Sequence, residues 1–239
     1  MMVWIAVCDR DAERRRTLGT IARRYLAARN GLRGQVCLFA TAEELLDFGH
    51  ATFGVCLVNV EAPLHVEAGK KIKERLPQTA LAFYGRGQEP AWALQAYRAG
   101  AAQYLALPLG ERSLFEVLDR SVREGDLQRP QRILLNSTQG LVNLQASEIT
   151  YAKSSGHRIT FFLSGGKSLE SKCLRVSFGT VIRPLEPKGF IRCHDSYAVN
   201  LGWAQRLVGE GVLLTDGTVV PVSTKKRSLV REAVKHILA

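Results

Sequence analysis

The segment FIRCHDSYAVN, residues 190–200, sets Cys193, His194 and Asp195 side by side. Three chemistries use such residues: a thiolate activated by an imidazole, a metal centre, or a polar edge that reads a ligand by hydrogen bonding. Strand parity separates them. Successive side chains of a strand point to opposite faces, so Phe190, Arg192 and His194 share one side while Ile191 and Cys193 share the other. Cys193 and His194 then diverge unless a bulge intervenes. A metal would need further ligands, and His157, Cys173 and Asp195 lack metal-ligand spacing. The expectation is no catalytic residue, no metal and no cofactor, and hence not an enzyme.

The elements around this segment come from a chain of 239 residues with 46% hydrophobic residues, enough for one large domain or two ordinary ones. Its net charge of +11 is unevenly spread. Residues 1–125 hold 17 Lys and Arg against 14 Asp and Glu, whereas residues 126–239 hold 16 against 8. The positive field belongs mainly to the second half, and a polyanion is the partner it favours. The first residues, MMVWIAVCDRDAERRR, run from apolar to charged, the wrong order for a secretion signal and too short to span a bilayer. A cytoplasmic protein with no membrane partner is expected. Five cysteines without a CxxC pair suggest reduced core thiols.

In the first half, short apolar runs alternate with amphipathic stretches. VWIAV, QVCLFA, VCLVNV, TALAFY and QYLAL read as strands. The segments between and after them read as five helices, one opened by Thr41 as N-cap with Glu44 three positions on. This rhythm predicts a five-stranded, doubly wound α/β sheet over residues 1–125, with its site at the carboxyl ends of the strands. After the polar segment 126–132 the period changes to two. Residues 133–239 read as a mostly antiparallel β domain, with hairpin signals at Gly165-Gly166 and Asp216-Gly217 and a closing helix. SGGKS is a turn and not a phosphate loop, because Phe161 stands where the first glycine of such a loop is needed.

The first half resembles a response-regulator receiver domain, carried by CDRD (8–11), VNVEAP (58–63) and YLALPL (104–109). The resemblance implies a flavodoxin-like fold and a phosphorylation pocket, yet the pocket residues depart from it. Asn59 stands at the phosphoacceptor position and Leu107 at the lysine position. Of the acidic pair Asp9 remains while Arg10 replaces its neighbour, and Tyr84 or Gly85 takes the Ser/Thr position. Phosphoryl transfer needs a nucleophilic oxygen, a divalent cation and a compensating positive charge. The expectation is a degenerate pocket, with Arg10 filling or repelling the metal site. Tyr104 lies at the aromatic switch position and Trp92, Leu94 and Tyr97 on the preceding helix. They are either ordinary half-buried aromatics or a switch and dimer face.

The second half resembles the LytTR DNA-binding domain, carried by EITYAKSSGHRITFF, GFIRCHDSYAVNLGWA and DGTVVPVSTKKRSLV. Asp195 replaces the family's common arginine. The resemblance implies three loops laid along the grooves of one DNA face: Ser154 to Arg158, the turn around Asn200, and Ser223 to Arg227. His157 and Asn200 suit base edges, while Lys153, Arg158, Lys225, Lys226 and Arg227 suit phosphates. Arg192 and His194 suit fixing the turn. For Asn200 a second reading stands beside the first, a local turn-forming asparagine. Together the two resemblances imply a LytTR response regulator binding direct repeats in promoter DNA as a homodimer, independent of phosphorylation. The competing reading is an interaction module whose degenerate receiver captures a kinase or another regulator.

Overall fold

A computed structural model describes every residue except Met1, Gly31, His50, Ala51, Ala62, 87–89, 127–131, Leu174 and Ala239. Contacts divide the chain into two compact units, one holding Met1–Phe48 and Thr52–Gln128, the other Arg129–Leu238. Most of the segment 126–132 expected as a linker lies outside the described residues.

The first unit alternates strand and helix: β1 (Met2–Cys8), α1 (Ala12–Ala28), β2 (Arg33–Phe39), α2 (Ala42–Asp47), β3 (Val55–Asn59), α3 (Pro63–Arg75), β4 (Ala80–Gly85), α4 (Pro90–Arg98), β5 (Gln103–Ala106) and α5 (Glu111–Asp126). The strands are parallel in the order β2-β1-β3-β4-β5, the doubly wound arrangement. Helices cover both faces and bury the central strands β1, β3 and β4, which is why these are continuous apolar runs. Ile5, Val7, Leu38 and Leu57 pack with Leu18 and Tyr25 of α1 and Leu118 of α5. Phe39, Phe48 and Phe53 meet edge-to-face or tilted, with ring centroids 5.5 to 5.9 Å apart. Gly69 lets α3 approach the sheet, since a Cβ there would lie 2.0 Å from Phe83. The expected capping at Thr41 is present: its hydroxyl accepts from the Glu44 amide at 3.2 Å, and the Glu44 carboxylate accepts from Ala40 at 2.8 Å.

The second unit holds β6 (Arg132–Ser137), β7 (Gly140–Gln145), β8 (Ile149–Ser155), β9 (Arg158–Leu163), β10 (Ser168–Glu170), α6 (Phe178–Ile182), β11 (Phe190–Arg192), β12 (Tyr197–Asn200), β13 (Ala204–Val208), β14 (Gly211–Leu214), β15 (Val219–Pro221) and α7 (Arg227–Leu238). Three antiparallel sheets form: β6-β7, β10-β9-β8-β12-β11 and β13-β14-β15. The five-stranded sheet positions the site. Its core face carries Ala152, Phe161, Leu169, Phe190 and Ala198, covered by Phe178 and Ile182 of α6. Gly165, Gly166 and Gly217 adopt positive φ at the expected hairpin turns. α7 buries Val230, Ala233, Val234 and Ile237, the spacing of one helical face.

Two local expectations change. The helix expected from Ser177 to Leu185 is one α-turn, capped by the Ser177 hydroxyl, that continues as a 3-10 segment through Lys188. Pro184 and Pro187 provide no N–H to an α ladder there. The turn expected around Asn200 begins only where a strand ends, β12, which lies between β8 and β11.

Candidate nucleic-acid interface and N-terminal pocket

The turn joining β11 to β12 closes through amides of Cys193 and His194 that both donate to Tyr197 O at 3.1 Å. Polar side chains stiffen it from within. His194 Nδ1 accepts from the Ser196 amide at 3.1 Å, and Arg192 donates to His194 O at 3.3 Å and to Asp195 O at 2.9 Å. Arg192 also lies over the Phe178 ring, 5.7 Å from its centroid. Arg192 and His194 thus act on the turn itself. Cys193 is fully buried, and burial pushes its thiol up to about 12, far from the reactivity a nucleophile needs. Among the described residues no group of three His, Cys, Asp or Glu side chains could hold a metal.

Register brings two further segments to the same end of the sheet. Antiparallel pairing sets Tyr197 beside Lys153, and the Ser154 amide donates to Ser196 O at 2.8 Å. The β8–β9 hairpin, turning at Gly156 with φ +57°, therefore lies next to residues 194–196 and presents exposed His157 and Arg158. On the other side the Ser223 amide donates to Cys193 O at 3.0 Å, which brings up the exposed Lys225 and the partly exposed Lys226 and Arg227. Lys153 is exposed, its Nζ 5.7 Å from the Tyr197 ring centroid. Three cations carry carboxylates already: Arg158 pairs with Glu170 at 3.1 Å, Arg227 with Glu210 at 3.4 Å, and Arg192 with Asp195 at 3.6 Å.

Asn200 does not join this cluster, and the base-reading role expected for it is corrected. It ends β12 at the opposite end of the sheet and is fully buried. Its Nδ2 donates to Ala146 O at 3.1 Å and to Ile149 O at 2.8 Å, while its Oδ1 accepts from the Gly202 amide at 3.0 Å. The turn-forming reading is the one observed. The middle element of the candidate interface is instead the 194–196 turn, whose outward side chain is Asp195. What separates Asn200 from the turn is the strand itself: Tyr197–Asn200 runs from the turn to the opposite end of the sheet.

In the first unit, Asp9, Asn59 and Tyr84 meet at the carboxyl ends of β1, β3 and β4. Asp9 is buried and accepts from Arg14 Nε at 2.5 Å, Arg14 Nη2 at 3.0 Å, the Tyr84 hydroxyl at 2.8 Å and the Asp11 amide at 2.9 Å. Arg14 Nη2 also lies 2.9 Å from Glu61 Oε1. Asn59 is buried and donates to Tyr84 O at 3.3 Å. Gly85 has no room for a side chain, since a Cβ would meet Val60 O at 2.2 Å. Burial and the Asp9 charge raise the Tyr84 hydroxyl pKa, which keeps it a donor. Leu107 packs against the apolar core. Arg10 is exposed, so the expectation that it fills the metal position is also corrected; Arg14 is the cation in the pocket. Tyr104 is half-buried, whereas Leu94 and Tyr97 are 51% and 77% exposed on α4. Trp92 belongs to α4 and its side chain lies outside the described residues.

Residues 139–235 match the family model of the LytTr DNA-binding domain. No curated protein matches the chain. Among solved structures, the BeF3-activated DrrB receiver domain is 25% identical, covering 52% of this chain and 99% of that chain with a TM-score of 0.45. The CheY-like receiver domain protein from Methanospirillum hungatei JF-1 is 20% identical, over 54% of this chain and 100% of that chain, with a TM-score of 0.46. DrrB from Thermotoga maritima, an OmpR/PhoB homologue, is 21% identical, over 70% of this chain and 65% of that chain, with a TM-score of 0.45.

Replacing Asn200 by Ala strips two buried carbonyls and one amide of their partner. It should lower stability by about 2–3 kcal/mol, read from chemical denaturation of the full chain. A loss of DNA affinity with stability unchanged would restore Asn200 to the interface.

Proposed function

From the premise that residues 139–235 form a LytTR DNA-binding domain behind a receiver-fold unit, we propose that the chain is a sequence-specific transcriptional regulator that acts by binding promoter DNA and performs no chemistry. The observation that carries this reading is the meeting of three segments, 153–158, 194–196 and 223–227, at one end of one sheet, with His157, Lys153, Arg158 and Lys225 exposed there. Cations on both flanks suit phosphates on either side of a groove, and counterion release supplies the affinity. His157, at a hairpin tip, suits a base edge. Asp195, between them, disfavours phosphate and suits a donor on a base, such as the cytosine amine. Lys226 and Arg227 stand at the start of α7 and suit phosphates as well.

Phosphorylation is outside this mechanism. Asn59 offers no carboxylate at the end of β3, Leu107 offers no cation, and the pocket does not fit a resident divalent metal because Arg14 already bridges Asp9 and Glu61. Activity is then set by concentration, a protein partner or a small ligand. The chain binds paired direct repeats as a homodimer. The apolar side chains exposed on α4, Leu94 and Tyr97, with Tyr104 and Trp92 nearby in sequence, favour that helix as a protein contact. The same exposure favours the second reading, capture of a kinase or regulator with weak or no DNA binding. No helix among the described residues is long and apolar enough to cross a membrane.

Fluorescence anisotropy on duplexes selected from random genomic DNA tests the first reading. With about six phosphate contacts, affinity should fall roughly a thousandfold between about 50 and 200 mM salt. Lys225→Ala with Arg227→Ala should weaken cognate and scrambled sites alike, and His157→Ala should also narrow the gap between them. Equal losses from all of these would defeat the assignment of roles, and salt-independent or absent binding would favour the second reading. Acetyl phosphate should leave the mass of the protein and its DNA affinity unchanged, and a stoichiometric base-labile adduct would refute phosphorylation independence.

A further inference from the structure

A partly buried arginine lies at the strand ends of the first unit. Arg14 lies on the first turn of α1, and helix side chains lean toward the N-terminus, which carries its guanidinium back over the end of β1. There it forks onto Asp9 through Nε and Nη2 and meets Glu61, just past β3, through Nη2 again. The Asp9 side chain has no exposure and Arg14 only 16%, so this contact is desolvated. Two carboxylate oxygens, one from each strand end, are within 3.0 Å of the same nitrogen. A hard divalent ion gathers oxygens in the same way.

We propose that the Arg14 guanidinium is a built-in replacement for a divalent cation: it neutralises and ties together Asp9 and Glu61, so that the unit holds its strand ends in register with no bound ion. The inference goes beyond the DNA-binding reading and holds whether or not the second unit binds DNA. It deepens the reading of the pocket, which excludes a resident metal because of Arg14, by stating what the guanidinium does there; the loss of the phosphoacceptor at Asn59 and of the lysine at Leu107 stands apart from it. Tyr84 and the Asp11 amide complete the Asp9 shell, leaving the carboxylate fully occupied from within the chain. Removing the guanidinium leaves the fully buried Asp9 carboxylate without its cation, with the Glu61 carboxylate at the same vacated position, and that site should recruit the ion Arg14 replaces.

The test uses the full chain and Mn2+ as probe, with free Mn2+ followed by electron paramagnetic resonance and unfolding followed by circular dichroism at constant ionic strength. Wild-type protein should show no saturable Mn2+ site at the pocket and no shift in Tm. Arg14→Met should lose thermal stability, gain one saturable site at least about tenfold tighter than any uptake by the wild type, and recover Tm as the site fills. Adding Glu61→Gln to that variant should abolish the uptake. If Arg14→Met is unfolded as isolated, refolding with and without Mn2+ reads the same property, and recovery only with the ion supports the proposal. It is overturned if the wild type already takes one ion in a Glu61-dependent manner, if folded Arg14→Met takes none, or if Mn2+ fails to restore an unfolded variant.

Discussion

Three backbone hydrogen bonds around one five-residue turn organise the second unit. The His194 amide closes the turn on Tyr197 O, the Ser154 amide reaches Ser196 O, and the Ser223 amide reaches Cys193 O. Because these are main-chain bonds, the three segments are gathered without using the side chains that face outward. Arg192 and His194 are used inside the turn, where buried polar groups must be satisfied. Lys153, His157, Asp195 and Lys225 are then left at the rim of a rigid sheet end. Inward and outward polar residues are thus divided at one end of a basic β unit.

Charge follows a different rule in each unit. At the rim of the second unit, cations are solvated or share surface carboxylates, and such pairs contribute little to stability and yield readily to a polyanion. In the first unit one guanidinium, itself only 16% exposed, meets the fully buried Asp9 carboxylate and the more exposed Glu61, and removing it would leave the buried Asp9 charge uncompensated. The surplus positive charge of residues 126–239 suits a polyanion, whereas the nearly balanced charge of residues 1–125 includes an arginine paired within the fold.

Much of this was legible in the sequence. The strands of the first unit were plain because a sheet covered on both faces writes uninterrupted apolar runs, and the hairpins because Gly165, Gly166 and Gly217 take conformations other residues avoid. The exposure of His157 and Lys225 could be expected because a tight turn and a charge run lie at the surface. Asn200 was misplaced because a buried amide that caps a turn and an exposed amide that reads a base have the same sequence appearance; only the register of β12 against β8 and β11 separates them. Arg14 was missed for Arg10 because adjacency in sequence suggested the nearer cation, whereas Arg10 precedes α1 and is exposed, and helix geometry brings the arginine four residues further on back to Asp9.

In the proposed complex DNA meets the sheet end around residues 194–196. Amide chemical shifts of the 15N-labelled full chain, followed while a selected duplex is titrated in, report that contact residue by residue. The perturbed backbone amides should map to 153–158, 193–197 and 223–228, with the Asn200 side-chain amide unmoved. Shifts centred instead on the β6–β7 hairpin or on residues 200–203, with the three segments silent, would contradict it.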